Sequence, residues 1–247
     1  MNFEERYLMI EETPYNRLAV VDIGGYRILK FGIAEQSSMS LANPIESGFE
    51  YTDYFHLPAL FGIPFHRALF IGLGGGMGVK MYRHFHPDVF IDAVEIDPAV
   101  VKAAKTYFHL EEDDHFRVHL GDGKEFLGRT REYYDVVILD AYTVIDGKSG
   151  PPEHLMQSDF FGDIRNHLTD RGMLIFNLTG TTWGEPTKTL RRILREHFKA
   201  AYLFSVRSSL NVVLAASMGP PLTRQDLRQQ GLSLQEAKGP TRMTYLD

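Results

Sequence analysis

The chain has 247 residues, 44% hydrophobic and 23% charged, with no cysteine and a formal net charge of −6. That length can bury a full core. The missing thiols exclude disulfide staples, thiolate metal sites and cysteine nucleophiles, and the acidic balance with no basic face argues against nucleic-acid binding. No apolar run approaches the roughly 20 residues that cross a bilayer, and the opening Met-Asn-Phe-Glu-Glu-Arg lacks the order of a signal peptide, so a cytoplasmic location is expected.

The first strands are predicted at 15–22 and 26–31, on either side of Gly24-Gly25. They form a small antiparallel β unit within residues 1–60. Residues 51–61 predict a helix leading into a main domain over 61–220. From there, strands at 68–73, 90–95, 116–120, 135–140, 173–178, 201–206 and 211–215 alternate with helices at 77–85, 98–108, 122–129, 153–168 and 186–198. Such alternation implies crossover units and a parallel sheet covered on both faces. The last two strands are too close in sequence for a helical crossover and should pair antiparallel. A mostly parallel sheet with one antiparallel strand is the α/β, Rossmann-like arrangement of class I methyltransferase-type folds. Residues 221–247 read as a polar tail with a short helix at 225–230.

The most informative stretch is 68–78, Ala-Leu-Phe-Ile-Gly-Leu-Gly-Gly-Gly-Met-Gly. An apolar strand opens into Gly72, Gly74, Gly75 and Gly76, and a helix follows. Glycine lets the backbone turn sharply and lie against a ligand, while the helix N-terminus aims its amides there. About 20 residues on, the next strand ends in Glu95-Ile96-Asp97, where an acid can grip both hydroxyls of a ribose. Together they predict a pocket for an adenosine-containing molecule.

Two further acids fall at strand ends, where open parallel sheets bind ligands. Asp122, in Gly121-Asp122-Gly123, suits an adenine amino group with the Gly123 amide beside it, and equally suits a helix N-cap. Asp97, just before Pro98, reads as a cap. Asp140 ends an apolar strand that should desolvate it, and it is the candidate catalytic residue; the competing reading is an acid at an ordinary turn. The segment 141–152 that follows is a long polar loop of the kind that forms lids. Tyr51, Tyr54 and Tyr142 can wall a pocket for a cationic group. The histidines have no metal-ligand spacing, and no metal site is expected.

These features resemble the spermidine synthase (polyamine aminopropyltransferase) family, in its divergent spermidine synthase-like branch. Glu12-Thr-Pro-Tyr-Asn16 resembles the family's Glu-Ser-Pro-Tyr-Gln. Gln36 matches the glutamine closing its N-terminal strands, and Phe49-Glu-Tyr51-Thr-Asp53 its Phe-x-Tyr-His-Glu segment. The glycine turn, Glu95-Ile-Asp97, Gly121-Asp-Gly123, Leu139-Asp140 and Gly150-Pro-Pro-Glu-His-Leu155 follow in family order. The resemblance implies a small β N-terminal domain on a Rossmann-like domain, assembled as homodimers or homotetramers. It also implies decarboxylated S-adenosylmethionine as co-substrate and a small amine acceptor. Gln36, the glycines, Glu95, Ile96, Asp122 and Gly123 would hold the nucleoside. Asp140 would deprotonate the amine, with Tyr51, Asp53, Tyr142 and Asp146 around it.

The departures concentrate at the amine end. Met77 replaces the family's donor-binding Asp, Thr52 its histidine, and the second acid of Asp-x-x-Asp arrives late, as Asp146. A transferase using intact S-adenosylmethionine and a non-catalytic nucleoside-binding module are therefore the alternatives. A nicotinamide dehydrogenase fits less well, because Gly-x-Gly-x-x-Gly from Gly72 fails at Met77.

Overall fold

The computed structural model describes residues 4–63, 66–145, 148–179, 185–207 and 209–238. Four antiparallel strands come first: β1 (Arg6–Glu12), β2 (Arg17–Ile23), β3 (Tyr26–Phe31) and β4 (Ala34–Ser40), paired in that order. A 3-10 turn, Glu50–His56, and α1 (Leu57–Leu60) lead to the main sheet.

That sheet is built from β5 (Arg67–Ile71), β6 (Phe90–Glu95), β7 (Phe116–Leu120), β8 (Tyr134–Leu139), β11 (Leu168–Leu178), β12 (Ala200–Ser205) and β13 (Val212–Ser217). Between β8 and β11 lies a small hairpin, β9 (Thr143–Ile145) and β10 (Lys148–Gly150). The seven strands run in the order β12-β13-β11-β8-β5-β6-β7, all parallel except β13, which is antiparallel to both neighbours. The chain winds one way from β5 to β7 and the other way from β8, so the order reverses between β5 and β8. A crevice opens at such a point. The crossover helices are α2 (Met77–Phe85), α3 (Pro98–Tyr107), α4 (Gly123–Leu127), α5 (Ser158–Asn166) and α6 (Glu185–His197), and α7 (Arg224–Lys238) closes the described chain.

The central strands are apolar runs because both faces are buried. Phe70 joins the core on one face of the sheet, while Leu69 and Ile71 join the core on the other. A third cluster, Leu18, Val20, Leu29, Phe31 and Met39 with Met77, Ala103 and Phe108, fastens the N-terminal sheet to α2 and α3. Polar pins reinforce it. Asp97 caps α3 by accepting from the Ala99 amide at 2.9 Å, and it also takes the Thr13 hydroxyl at 2.6 Å. The expected cap at Asp97 is therefore present.

Several elements differ from expectation. The N-terminal unit has four strands rather than two. The edge strand β1 is half-exposed without clean alternation, and β4 places Ser37, Ser38 and Ser40 at buried positions, so neither shows an apolar period. The helix expected over 153–168 is a 3-10 turn, Glu153–Met156, then α5, separated by Gln157 in extended conformation. The polar loop contains the β9–β10 hairpin. In the tail, α7 is longer than expected and seats Leu227 and Leu234 against the main core.

Candidate active site

A cavity of about 1070 Å3 lies over the C-terminal ends of β5, β6, β8 and β11. Its roof comes from β4, the 3-10 turn carrying Glu50 and Tyr51, and residues between Ala141 and Thr143 and between Ser149 and Gln157.

Gly72 sits at the switch point with φ +95°, a conformation that favours glycine. A Cβ there would fall 2.7 Å from the Asp140 carbonyl carbon, so glycine is what lets the ends of β5 and β8 meet. The turn then passes under the N-terminal sheet, where the Gly75 amide donates to Ser37 Oγ at 2.7 Å.

At one end, Glu95 accepts the Leu73 amide on Oε2 and the Asp97 amide on Oε1, each at 3.0 Å. A carboxylate oxygen has two lone pairs, so each can still accept one hydroxyl. Burial pushes the Glu95 carboxyl up, against the pull of the amides of Asp97 and Leu73. Asp122 caps α4 with Oδ1, accepting from the amides of Lys124 and Glu125 at 2.9 and 3.1 Å. Its Oδ2 meets His154 Nε2 at 2.8 Å. Burial works to raise the Asp122 carboxyl, but the Glu125 amide and His154 outweigh it and hold it below the usual range. The capping reading of Asp122 is thus observed, and the residue also lines the cavity.

At the other end, Asp140 receives the Asn177 amide on Oδ1 at 2.9 Å and the Tyr51 hydroxyl on Oδ2 at 3.4 Å. Burial pushes its carboxyl up to about 7, despite these two donors. Asn177 Oδ1 in turn accepts from Asn211 Nδ2 at 2.9 Å, and Tyr142 donates to the Asn177 carbonyl at 2.7 Å. Burial, then the Asp140 charge, keeps Tyr51 protonated far above neutrality.

Of the residues singled out in the sequence, Gln36, Tyr51, Gly72, Gly74, Glu95, Ile96, Asp122, Gly123, Asp140 and Tyr142 line this one cavity. Gly75, Gly76 and Asp53 do not. Gly75 and Gly76 turn the chain behind the wall, against Phe108 and Leu110. Asp53 lies one 3-10 turn beyond Glu50, which takes its place at the wall. Tyr54 donates to the Ser205 carbonyl instead. Asp146 lies outside the described residues.

Sequence reasoning missed Ser37, Glu50, His154, Asn177 and Asn211. Only Asn177 carried a signal: a polar side chain within the apolar run of β11, 2% exposed in the fold.

Among the described residues, the cavity is lined by six carboxylates (Glu35, Glu50, Glu95, Asp122, Asp140 and Glu153) and by no lysine or arginine. Also among them, no three metal-type side chains converge, and no helix is long and apolar enough to cross a membrane.

Residues 50–209 match the spermine/spermidine synthase domain model. The polyamine aminopropyltransferase of Vibrio vulnificus is 31% identical over 70% of this chain and 58% of its own. The human eEF1A lysine and N-terminal methyltransferase is 30% identical over 62% of this chain and 23% of its own. The chain thus spans less than two thirds of either relative. Both are transferases, of two kinds. A crystal structure of spermidine synthase in complex with the transition state analogue AdoDATO superposes with TM-score 0.74 at 16% identity, over 97% of this chain and 80% of that one. Human methyltransferase-like protein 13 in complex with SAH superposes with TM-score 0.62 at 27% identity, over 78% of this chain and 91% of that one. The fold is thus that of spermidine synthases and class I methyltransferases. With most of its length matched by the domain model, the chain belongs to the spermine/spermidine synthase domain family.

Proposed function

We propose that this protein is a transferase that moves an aminopropyl group from decarboxylated S-adenosylmethionine to a small amine. One observation carries the reading: six carboxylates and, among the described residues, no lysine or arginine face one cavity. Walls of one sign focus the field and concentrate ligands of the opposite sign. A sulfonium donor and an ammonium acceptor are both cations. Intact S-adenosylmethionine adds a carboxylate, which no described cationic side chain would meet.

Glu95 supplies two acceptors for a ribose, and Asp122 an acceptor for a base amino group. Asp140 supplies the base. An ammonium has no lone pair, so Asp140 takes one of its protons. The freed pair forms a C–N bond to the propyl carbon next to sulfur. The C–S bond breaks with its electrons returning to sulfur, which neutralises the sulfonium and leaves 5′-methylthioadenosine. A carboxyl pushed up to about 7 by burial can exchange a proton at neutral pH. Tyr51 and Tyr142 line the cavity beside Asp140, and aromatic rings near a cation favour it.

Methyl transfer from intact S-adenosylmethionine is the second reading, and Met77 favours it. Its side chain lines the cavity where the family has a donor-binding Asp, and it is held in an apolar cluster with Leu18 and Phe31. The likeness to a methyltransferase complexed with SAH supports it too.

Mass spectrometry of the nucleoside product separates the readings. The protein is incubated with each donor and with putrescine or a panel of amines. The expected product is 5′-methylthioadenosine from the decarboxylated donor. S-adenosylhomocysteine from the intact donor would establish the second reading, and no 5′-methylthioadenosine from the decarboxylated donor with any amine would overturn the first.

A further inference from the structure

The acid proposed as base does not stand alone. It ends a chain of side-chain amides that begins on the β12–β13 turn. Asn211 precedes β13 and lies at the cavity wall with Ser209. Its backbone is fixed from both sides: the Asn211 carbonyl accepts the Val206 amide at 3.1 Å, and the Asn211 amide donates to Ser209 Oγ at 3.2 Å. From there Nδ2 donates to Asn177 Oδ1, and Asn177 Nδ2 donates to Asp140 Oδ1, both at 2.9 Å.

A carboxamide has a donor end and an acceptor end. Alone, Asn177 could turn either end toward Asp140. Because Asn211 gives Asn177 Oδ1 a hydrogen, only Nδ2 remains for the carboxylate. Asp140 Oδ1 is thereby engaged at normal hydrogen-bond length, while Oδ2 has only the long 3.4 Å contact from Tyr51.

We propose that Asn211 is a positioning residue: acting through Asn177, it reserves Asp140 Oδ2 as the atom that takes the acceptor's proton. The inference rests on the reading of Asp140 as base. The charged and titratable groups acting on Asp140 are Tyr51, which donates to it, and Tyr142, which feels its charge. Both hydroxyls are raised above their ordinary range by burial first, so neither changes charge near neutrality.

Asn211→Asp tests it with almost no change in shape. A carboxylate at 211 can only accept, so Asn177 turns Nδ2 toward it and presents Oδ1 to Asp140. Two facing acceptors disfavour the Asp140 anion. The acid limb of the turnover profile then moves up by about one pH unit or more, with a severalfold loss at pH 7 and recovery by pH 9. Asn211→Leu removes the donor without adding an acceptor and moves the limb less. A purely structural role would make Asn211→Leu the less active variant, since Leu disturbs the turn more, and would leave the limb in place in both.

The Asp140 carboxyl is also titrated directly by 13C NMR, assigned with Asp140→Asn, which needs no turnover. A titration shifted in Asn211→Asp, and shifted much less when Asn177→Ala is also present, supports the relay even where no aminopropyl product forms, in which case only the functional reading fails. An equal shift without Asn177 is repulsion between the two carboxylates and overturns it. An unshifted titration overturns the relay even in an active enzyme. If Asn211→Asp does not fold, the same titration in Asn211→Leu decides between these outcomes.

Discussion

At the Glu95 end of the cavity, carboxylate oxygens are held mainly by backbone amides of the crossover units they belong to: Leu73, from just past the end of the paired strand β5, and Asp97 on Glu95, Lys124 and Glu125 on Asp122, with His154 the added side chain on Asp122. At the Asp140 end they are held by side chains from afar: Tyr51 from the 3-10 turn, Asn177 from β11 and, behind it, Asn211 ahead of β13. The first arrangement is a property of a local crossover unit and survives changes elsewhere. The second exists only once the β8–β11–β13 half of the sheet and the N-terminal segment are assembled. Binding and chemistry should therefore separate on mutation.

Asp140→Asn should give the largest effect. It keeps the shape of the side chain and removes the base, so kcat falls about 10²–10⁴-fold while the donor Kd, measured calorimetrically, stays within a few-fold. In the unmutated protein, kcat should decline as pH falls below about 7, where Asp140 gains its proton. The same substitution should stabilise the fold at high pH. With a native value of about 7 against the 3.8 of an exposed aspartate, the folded state binds more protons than the unfolded state between these limits. Asp140 therefore contributes stability that is present below the lower value and lost as pH rises through the upper one. Above pH 7, Asp140→Asn should be the more stable protein by up to about 4 kcal/mol, read from denaturant midpoints. Equal stability at pH 8 would remove the argument from burial.

The reverse pattern is expected from Glu95→Gln. Losing charge-assisted acceptors weakens the donor by about ten- to a hundredfold in Kd, while kcat at saturating donor is nearly unchanged. A fall in kcat equal to that of Asp140→Asn would erase the distinction between the two ends.

Ser37→Ala comes next, because it addresses the joint between the sheets. It strands the buried Gly75 amide, a loss of about 1–3 kcal/mol in unfolding free energy. Donor affinity should weaken through the loosened glycine turn, with the pH profile unmoved.

The same contrast explains what could be read in advance. Glu95, Asp122 and the glycine turn were legible because their geometry is local: a strand end, a tight turn and a helix start lie within a few residues. The positions of the main strands along the chain were legible because doubly buried strands are apolar throughout. Asn177, Asn211 and Ser37 were not, because a polar residue announces no partner that folding brings from 30 or more positions away. Asp53 misled for a related reason. Resemblance chose the residue by its place in a motif, but Asp53 sits one full turn, about 6 Å, further along the 3-10 helix, and Glu50 lines the wall in its place.

His154→Ala should have the smallest effect, and it asks whether the Asp122 end is as backbone-determined as it looks. His154 is the side chain bonded to Asp122, with half of its side-chain surface still exposed. An ion pair at such exposure is typically worth less than about 1 kcal/mol. Asp122 Oδ1 keeps its two amides whether or not His154 is present. Donor Kd should therefore change by less than about fivefold, with kcat unaltered. A loss as large as that of Glu95→Gln would mean that the 3-10 turn of Glu153–Met156 holds the nucleoside end shut. Both ends of the cavity would then depend on side chains delivered from elsewhere in the fold.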